Sequence, residues 1–329
     1  MKATILFSVL FLFVTKIFSQ ELYPFQQHKK YGYINKQGKV VINPTFDYAA
    51  KFSEDLAVVT ISHKKGFIDA KGSIVIPTDL DDAYAFQEGV AAVKKNGKWV
   101  YIDKKGAIAL HPKEDYAYDF FEDYARFQLN GKLGVMDLKG NVVVPAEFDG
   151  LYDFHEGVAR AKKDGKWGFI DSKGAWIIKN EYEEVFDFSE GLANILVNGK
   201  WGFIDKKGAV VIQPQFDRAY HFVDGLALVR IGDLKTGKFG FIDKTGKVSI
   251  NPIYTGAFNF SEGLACVMTG EGANARWGFV NKTGEWVIKP IYSSHAEFYK
   301  GLAYVQLGDL KNATFGYIDT KGNYVWKEN

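Results

Sequence analysis

A short segment recurs nine times along the chain and constrains its fold more than any other feature. Most copies pair an aromatic residue with glycine, and all nine close on a further glycine, as residues 200–208 (KWGFIDKKG) illustrate. Successive closing glycines lie 34 residues apart five times and then 38 apart three times. A fixed period over nearly the whole chain predicts a stacked or radial repeat architecture. The closing glycines are Gly38, Gly72, Gly106, Gly140, Gly174, Gly208, Gly246, Gly284 and Gly322.

The repeat predicts β-strands. A period of 34 also occurs in helical repeats, but here only ten residues separate Pro214 from Gly225, and two packed helices do not fit between such helix breakers. Residues 201–205 are aromatic and β-branched, as strands are. The aspartate and glycine that bound residues 205–208 favour a type I turn ending in a left-handed glycine. With further strands at 210–212 and 226–229, each unit is expected to be a three-stranded antiparallel meander.

A connector, residues 216–222 in the best copy, links the second strand of the unit to the third. The position of Asp217 holds a residue that commonly caps helix N-termini in seven of eight copies. The position of Gly225 is glycine in six of eight. This pattern predicts one short helical turn. The phenylalanine at the position of Phe222 recurs in all eight copies and is expected to be buried.

Nine such units fill residues 20–329, which we expect to form one continuous repeat domain. We predict an all-β fold in which nine three-stranded units stack as an open, solenoid-like array. The period drifts, propellers typically have about 4–8 blades, and no strand is divided between the two ends of the chain. A closed, propeller-like ring is the alternative.

The first residues resemble a cleavable export signal. Lys2 precedes an apolar stretch over residues 5–14, and the small residue Ser19 follows. Residues 1–19 are therefore predicted to be a signal peptide that is cut before Gln20. No later segment reaches the length of a membrane span, so we expect an exported protein that is periplasmic, secreted or on the outer surface.

Charge and residue types exclude several classes of function. Lysine and arginine number 41 against 39 acidic residues, and removal of residues 1–19 leaves 39 against 39. A polyanion-binding protein needs a basic excess, so nucleic-acid binding is not expected. The single cysteine, Cys266, rules out an intrachain disulfide and is expected to fill a strand position.

No catalytic motif is present, so neither enzymatic activity nor a cofactor is expected. The six histidines occupy six different positions of the repeat and are expected to scatter, so no metal site is predicted either. They are His28, His63, His111, His155, His221 and His295.

One row of acidic residues precedes the glycine at the position of Gly225. Stacked units would align these carboxylates, which could then bind calcium or a cationic ligand or act as paired glycosidase acids. A solvated row balanced by lysines is the favoured interpretation. The row comprises Glu54, Glu88, Glu122, Glu156, Glu190, Asp224 and Glu262, and Lys300 interrupts it.

The aromatic-glycine segments at residues 166–171 and 200–205 and the Glu-Gly-Leu-Ala run at 190–193 resemble the bacterial WG, or KWG, β-repeat family. The resemblance covers essentially all of the chain after residue 19. Leu133 and Lys65 replace the aromatic residue in two copies, and Val100 replaces the glycine in a third. The resemblance implies a secreted or envelope β-repeat protein, and it implies no assigned chemistry.

Three loops that lengthen the last repeats, about 230–237, 268–275 and 306–313, are the candidate binding face. Repeat insertions map to one face, which is often the binding face, although duplication of one enlarged unit would also explain them. We expect an exported, non-enzymatic binding scaffold of the bacterial cell envelope whose partner is an unknown envelope protein or glycan. A glycan-acting hydrolase and a structural or adhesive surface protein are the alternatives. The candidate loop residues are Gly232, Asp233, Leu234, Lys235, Gly308, Asp309, Leu310 and Lys311.

Overall fold

The computed structural model of the chain describes residues 21–112, 118–309 and 312–328. In these ranges the chain forms nine small antiparallel sheets, which we number blades 1–9 in chain order. Blades 2–8 contain four strands each, and blades 1 and 9 contain three in the described ranges. Strands lie side by side in chain order, so every blade is a meander.

We name the four strands of a blade, in chain order, the inner, second, aromatic-glycine and outer strands. The inner strands are Tyr48–Ala49, Asp82–Ala83, Phe120–Phe121, Gly150–His155, Glu184–Val185, Arg218–Val223 and Gly256–Ser261. The second strands are Leu22–Gln27, Ala57–Ile61, Val90–Lys95, Tyr124–Leu129, Val158–Lys163, Leu192–Val197, Leu226–Ile231, Leu264–Thr269 and Leu302–Leu307. The aromatic-glycine strands are Lys30–Asn35, Lys64–Ile68, Lys98–Asp103, Lys132–Asp137, Lys166–Ile170, Lys200–Asp205, Lys238–Asp243, Arg276–Val280 and Thr314–Asp319. The outer strands are Val40–Phe46, Ile74–Leu80, Ile108–Leu110, Val142–Phe148, Trp176–Tyr182, Val210–Phe216, Val248–Tyr254, Trp286–Tyr292 and Tyr324–Lys327, and one 3-10 helix spans Gly272–Asn274.

The blades are arranged around a centre. Inner strands of neighbouring blades touch one another, as Arg218–Val223 and Gly256–Ser261 do, whereas the outer strands keep several side chains exposed, among them Val210 and Val211. Strands that meet across blades belong on the narrow side of a ring, so the inner strands surround the axis and the outer strands form the rim. The core lies between successive blades.

Blade 9 packs directly against blade 1. The Tyr317 hydroxyl donates a hydrogen bond of 2.7 Å to the Pro24 carbonyl, and the rings of Phe25 and Trp326 are 5.0 Å apart. The chain is thus a closed ring, a nine-bladed β-propeller, and the predicted open array is wrong while its alternative is right. In the described ranges the two ends share no strand, and side-chain contacts such as these hold the seam.

The connector forms the inner strand, so the predicted helical turn is wrong. Ala219 pairs with Val229, and Phe222 pairs with Ala227 in the next strand. The glycine expected to stop a helix lies instead in a two-residue hairpin turn, where Glu190 and Gly191 have φ of 54° and 84°. The predicted three-stranded unit consequently becomes a four-stranded blade wherever the connector pairs.

Carboxylates predicted to cap a helix brace neighbouring blades instead. Asp217 accepts a 2.7 Å hydrogen bond from the Lys200 ammonium of the preceding blade and another from the backbone N–H of Gly232. The first contact joins two blades and the second secures a hairpin turn. Equivalent carboxylates with both contacts are Asp47, Asp81 and Asp149.

The tight turns are confirmed, and so is the burial of the recurring phenylalanine in seven of its eight copies, whereas Phe52 is only partly buried. All nine closing glycines are left-handed, with φ between 78° and 85°, and the Asp205 carboxylate accepts hydrogen bonds of 2.9 Å from the N–H groups of Lys207 and Ala209. Phe222 is fully buried, and its ring centroid lies 4.9 Å from that of Phe203 in the preceding blade. Such ring pairs join most successive blades.

Candidate functional site

Bulges in the inner strands place two residues opposite one residue of the second strand. In blade 5, Leu151 pairs with Ala161 and Phe154 with Ala159, so Tyr152 and Asp153 both lie opposite Arg160. A bulge adds one residue to one strand and redirects its side chain. This arrangement brings aromatic rings and charges together on the inner wall of the ring.

Two arginines link blades 4, 5 and 6 through these bulges. The Arg126 guanidinium is 2.7 Å from the Asp153 carboxylate in the next blade, and that of Arg160 is 2.9 Å from Asp187 in the blade after. Arg160 also lies over the Tyr152 ring at 3.5 Å. Since each arginine is paired with a carboxylate and stacked on a ring, this network stabilises the ring and leaves little free charge.

This network was not predicted from the sequence. Arginine occupies a position of the second strand that holds the apolar residues Val58, Ala92 and Leu228 in other copies. A charge at an otherwise apolar repeat position was the available signal.

Two histidines lie together at the edge of this network, contrary to the predicted scatter. His155 Nε2 is 4.0 Å from the Asp187 carboxylate, and His221, also near Asp187, has its pKa lowered by burial. They border a cavity of about 180 Å³ with Ser189. The inner bulges and hairpins bring different repeat positions together across blades, which a comparison of positions along the chain could not show.

Asp119 in blade 4 occupies the position that Asp153 and Asp187 occupy in the next two blades. The preceding blade offers it no arginine, because Ala92 stands where Arg126 and Arg160 stand in later blades. Burial raises the pKa of Asp119 to about 6, repulsion by Asp153 adds to the rise, and the attraction of Arg126 opposes it. Near neutral pH this carboxylate is therefore ionised at a cost to the folded state.

We predict that Asp119→Asn stabilises the protein above pH 6. An unfolded aspartate has a pKa of about 3.9, so the folded state retains a proton between roughly pH 4 and 6 that the unfolded state loses, and stability falls as pH rises through that window. Melting temperatures at pH 4 and pH 8 should show a gain for the variant at pH 8 alone. Asp153→Asn, which breaks the pair with Arg126, should lower the melting temperature at pH 8, and a loss for both variants there would contradict the prediction.

The carboxylates of the acidic row join each blade to the next. Glu190 accepts a hydrogen bond of 3.1 Å from the N–H of Gly225 in the next blade, and Lys244 lies 3.1 Å from the same carboxylate. At the seam, Lys300 takes the place of the acid and its ammonium bonds to Glu21 at 2.7 Å. These contacts favour the interpretation of a structural row balanced by lysines. The other acids with this interblade bond are Glu54, Glu88, Glu122, Glu156, Asp224 and Glu262.

The enlarged loops all join a second strand to an aromatic-glycine strand, in blades 7, 8 and 9, and so lie on one face of the ring. Asp233 and Asp309 each accept a hydrogen bond from the backbone N–H three residues later, at 2.8 and 3.1 Å. In both loops the aspartate therefore bonds to a backbone N–H of its own loop. Leu234 at the first loop's tip is 86% exposed, and a shallow cavity of about 490 Å³ lies between Arg230 and Lys235.

The remaining predicted residues fall into three groups. Gly232 and Gly308 begin their loops with left-handed φ of 99° and 90°, whereas Leu310, Lys311 and the predicted signal peptide lie outside the described residues. Cys266 is buried in its strand, and burial raises its pKa to about 12, as suits a packing residue. In the described ranges, no three histidine, cysteine or acidic side chains cluster as metal ligands would, and no helix there has the length and apolarity to cross a membrane.

The family is decided by a match along the whole array. The profile described as "WG containing repeat" matches residues 31–62, 66–99, 101–132, 134–167, 167–201, 201–234, 239–271 and 277–310. The chain belongs to this family. Each WG repeat therefore supplies the aromatic-glycine and outer strands of one blade and the inner and second strands of the next, so each family unit spans two blades. No curated protein sequence matches the chain.

Two solved structures resemble the WG-repeat ring in fold. One, described as "Crystal structure of the eukaryotic initiation factor", has a TM-score of 0.67 at 9% identity, over 94% of this chain and 96% of that one. The other, "Dihydro-heme d1 dehydrogenase NirN in complex with DHE", has a TM-score of 0.50 at 15% identity, over 83% and 73%. At such identities the likeness concerns the fold alone.

Proposed function

We propose that this WG-repeat propeller is an exported, non-enzymatic scaffold of the cell envelope that binds a protein partner through the three enlarged loops. The observation that supports this proposal is the exposed side chain of Leu234 at the tip of a turn. Leu234 stands away from the ring on a loop that Asp233 and Gly237 hold together through a 3.0 Å backbone hydrogen bond. An exposed apolar tip on a preorganised turn is suited to insertion into a partner's surface.

The rest of the polar chemistry supports a scaffold. The acidic row binds backbone amides and lysines, and the inner arginines bind aspartates. A hydrolase would need carboxylates that are free to contact substrate. The carboxylates of Glu156 and Glu190 instead accept hydrogen bonds from the backbone of the next blade, which gives that alternative no support. A panel of chromogenic glycosides still provides a direct check, since turnover by the pure protein would favour the hydrolase.

Shortening the three loops to the two-residue turn of Asn198-Gly199 should leave the ring folded and abolish partner capture. Closure of a loop depends only weakly on its length, so the melting temperature should change little. Crosslinking and pull-down from envelope extract would compare the parent, the shortened variant and Leu234→Ser. If the shortened variant captures the same proteins as the parent, the loops are a product of duplication. Capture of glycan alone would replace the protein partner with a sugar.

Export is expected to remove residues 1–19. Mass spectrometry of the exported protein should show a chain beginning at or near Gln20, because Ser19 follows an apolar segment of signal-peptide length. A change of Ser19 to a large residue should impair cleavage, whereas Gln27→Ala, well inside the first blade, should not. Retention of Met1 in the exported fraction would show that the segment is not cut.

A further inference from the structure

Two successive junctions on the inner wall each hold a guanidinium against aromatic rings. The Arg126 guanidinium lies 4.6 Å from the Tyr118 ring in its own blade and 5.6 Å from the Tyr152 ring in blade 5. The Arg160 guanidinium lies 3.5 Å from the Tyr152 ring and 5.2 Å from the Phe186 ring in blade 6. Each guanidinium thus lies against rings of both blades that it joins.

At the next junction the guanidinium comes from the inner strand. Arg218 of blade 7 lies 5.3 Å from the Phe186 ring and 5.5 Å from the Tyr220 ring. Asn194 stands at the second-strand position that the other two arginines occupy. A guanidinium against rings therefore recurs at three junctions from two different positions of the repeat, which indicates that this place on the wall favours such a group.

The junction of blades 3 and 4 has the corresponding aromatic residues and carboxylate. Tyr84 of blade 3 and Tyr118 of blade 4 occupy the two aromatic positions. Asp119 occupies the position of Asp153, whose carboxylate lies 2.7 Å from the Arg126 guanidinium. Blade 3 cannot supply an equivalent guanidinium to Asp119, because Arg126 is the first arginine of the sequence.

Among the residues that the structure describes, none donates a hydrogen bond to the Asp119 carboxylate or forms an ion pair with it. The charged groups that act on it are Asp153, which repels it, and Arg126, which attracts it. Arg126 is itself bonded to Asp153, so these three groups carry one net negative charge and favour a cation over an anion.

This part of the inner wall is open to solutes at the centre of the ring. Asp119 is partly exposed, and Tyr152, one blade further along the same wall, is 40% exposed. A partly buried carboxylate that solvent still reaches can exchange its water for the donors of a ligand, and its ion pair is screened less than one on the outer surface.

We propose that the junction of blades 3 and 4 binds a ligand that carries a guanidinium group. The guanidinium pairs with the Asp119 carboxylate, as Arg126 and Arg160 pair with the equivalent carboxylates of the next two blades. A planar guanidinium matches both oxygens of a carboxylate and stacks on aromatic rings, which an ammonium does less well. The site depends neither on export nor on the protein partner proposed for the enlarged loops.

Calorimetry at pH 8 with three matched probes tests the proposal. Burial raises the pKa of Asp119 to about 6, so its carboxylate is ionised at that pH. Butylguanidinium should bind saturably with one site per chain. Butylurea, which keeps the plane but loses the charge, should bind about tenfold more weakly, and butylammonium, which loses the planar donors, should also bind more weakly. The site is overturned by butylurea binding as tightly as butylguanidinium or by no saturable heat, and the choice of guanidinium is overturned by butylammonium binding as tightly.

Asp119→Asn should abolish the saturable binding of butylguanidinium, because the carboxamide carries no charge to pair with it. This variant is expected to fold, since the substitution stabilises the ring at pH 8. Asp164→Asn is the matched control: it removes the same charge from an exposed hairpin turn of blade 5 and should leave the affinity unchanged. Unchanged affinity in Asp119→Asn, or an equal loss in both variants, would contradict the assigned pairing.

Ala92→Arg should also abolish binding. It supplies to Asp119, from blade 3, the arginine that blades 4 and 5 supply to Asp153 and Asp187, so a guanidinium of the chain then excludes that of the ligand. Ala92 is buried, and if the longer side chain prevents folding, Asp119→Asn decides the matter. A folded Ala92→Arg protein that binds butylguanidinium as the parent does would show that the ligand lies elsewhere.

Discussion

Gly202→Ala is expected to destabilise the ring by about 3 kcal/mol, the upper end of the usual cost of overpacking. A Cβ atom at residue 202 would lie 2.5 Å from the Ile212 carbonyl oxygen and 2.6 Å from the Pro214 nitrogen. Both are backbone atoms of the outer strand, so no side chain can move aside. The bulged outer strand crosses directly over this glycine, which explains why the aromatic residue is followed by glycine in most repeats.

Gly191→Ala is the matched control for Gly202→Ala. Gly191 has a φ of 84° but open space where a Cβ would lie, so its substitution costs backbone strain of about 1 kcal/mol and no collision. Chemical denaturation of both variants would give the two free energies of unfolding. Equal losses would show that the approach of the outer strand is not what requires the glycine of the repeat motif.

The features that were predicted correctly from the sequence are those set by residues close together in the chain. The turn at Asp205 to Gly208 is set by a local carboxylate and a left-handed glycine, and the period placed all nine copies correctly. The inner strand could not be predicted in this way. Asp217 and Gly225 are good helix boundaries in isolation, and their contacts to Lys200 and Glu190 come from the preceding blade.

Ring closure could not be predicted from the sequence of a single repeat either. Whether repeats stack openly or close depends on the small rotation between successive blades, which no single repeat encodes. The candidate site shows the same limit. The hydrogen bonds that Asp233 and Asp309 accept lie within their own loops, whereas the contact of His155 with Asp187 requires two blades in place.

Tyr23 is the residue whose identity indicates that the ring is closed. Its position holds alanine in each of the other eight copies, and in blade 7 that alanine, Ala227, lies opposite the buried Phe222. Blade 1 has no such inner phenylalanine in the described ranges, and the Tyr23 ring packs instead against Tyr317 of blade 9. A large residue replaces alanine at the one copy where it can join the two ends of the chain.

Tyr23→Ala should accordingly cost about 4 kcal/mol, as large-to-small changes of buried aromatic residues do. Tyr23 is 2% exposed, and its loss removes both the ring contact with Tyr317 and the hydrogen bond to Lys300. Tyr23→Phe, which loses the hydrogen bond alone, should cost about 1 kcal/mol. Tyr48→Ala, at a 48% exposed residue in blade 2, is the control and should be nearly neutral.

Chemical denaturation would rank the free energies of unfolding of the three variants. Limited proteolysis should cut the Tyr23→Ala variant near its ends first, because the seam is the one junction between blades with no peptide connection. A Tyr23→Ala variant as stable as Tyr48→Ala would mean that the ring does not depend on this residue to close.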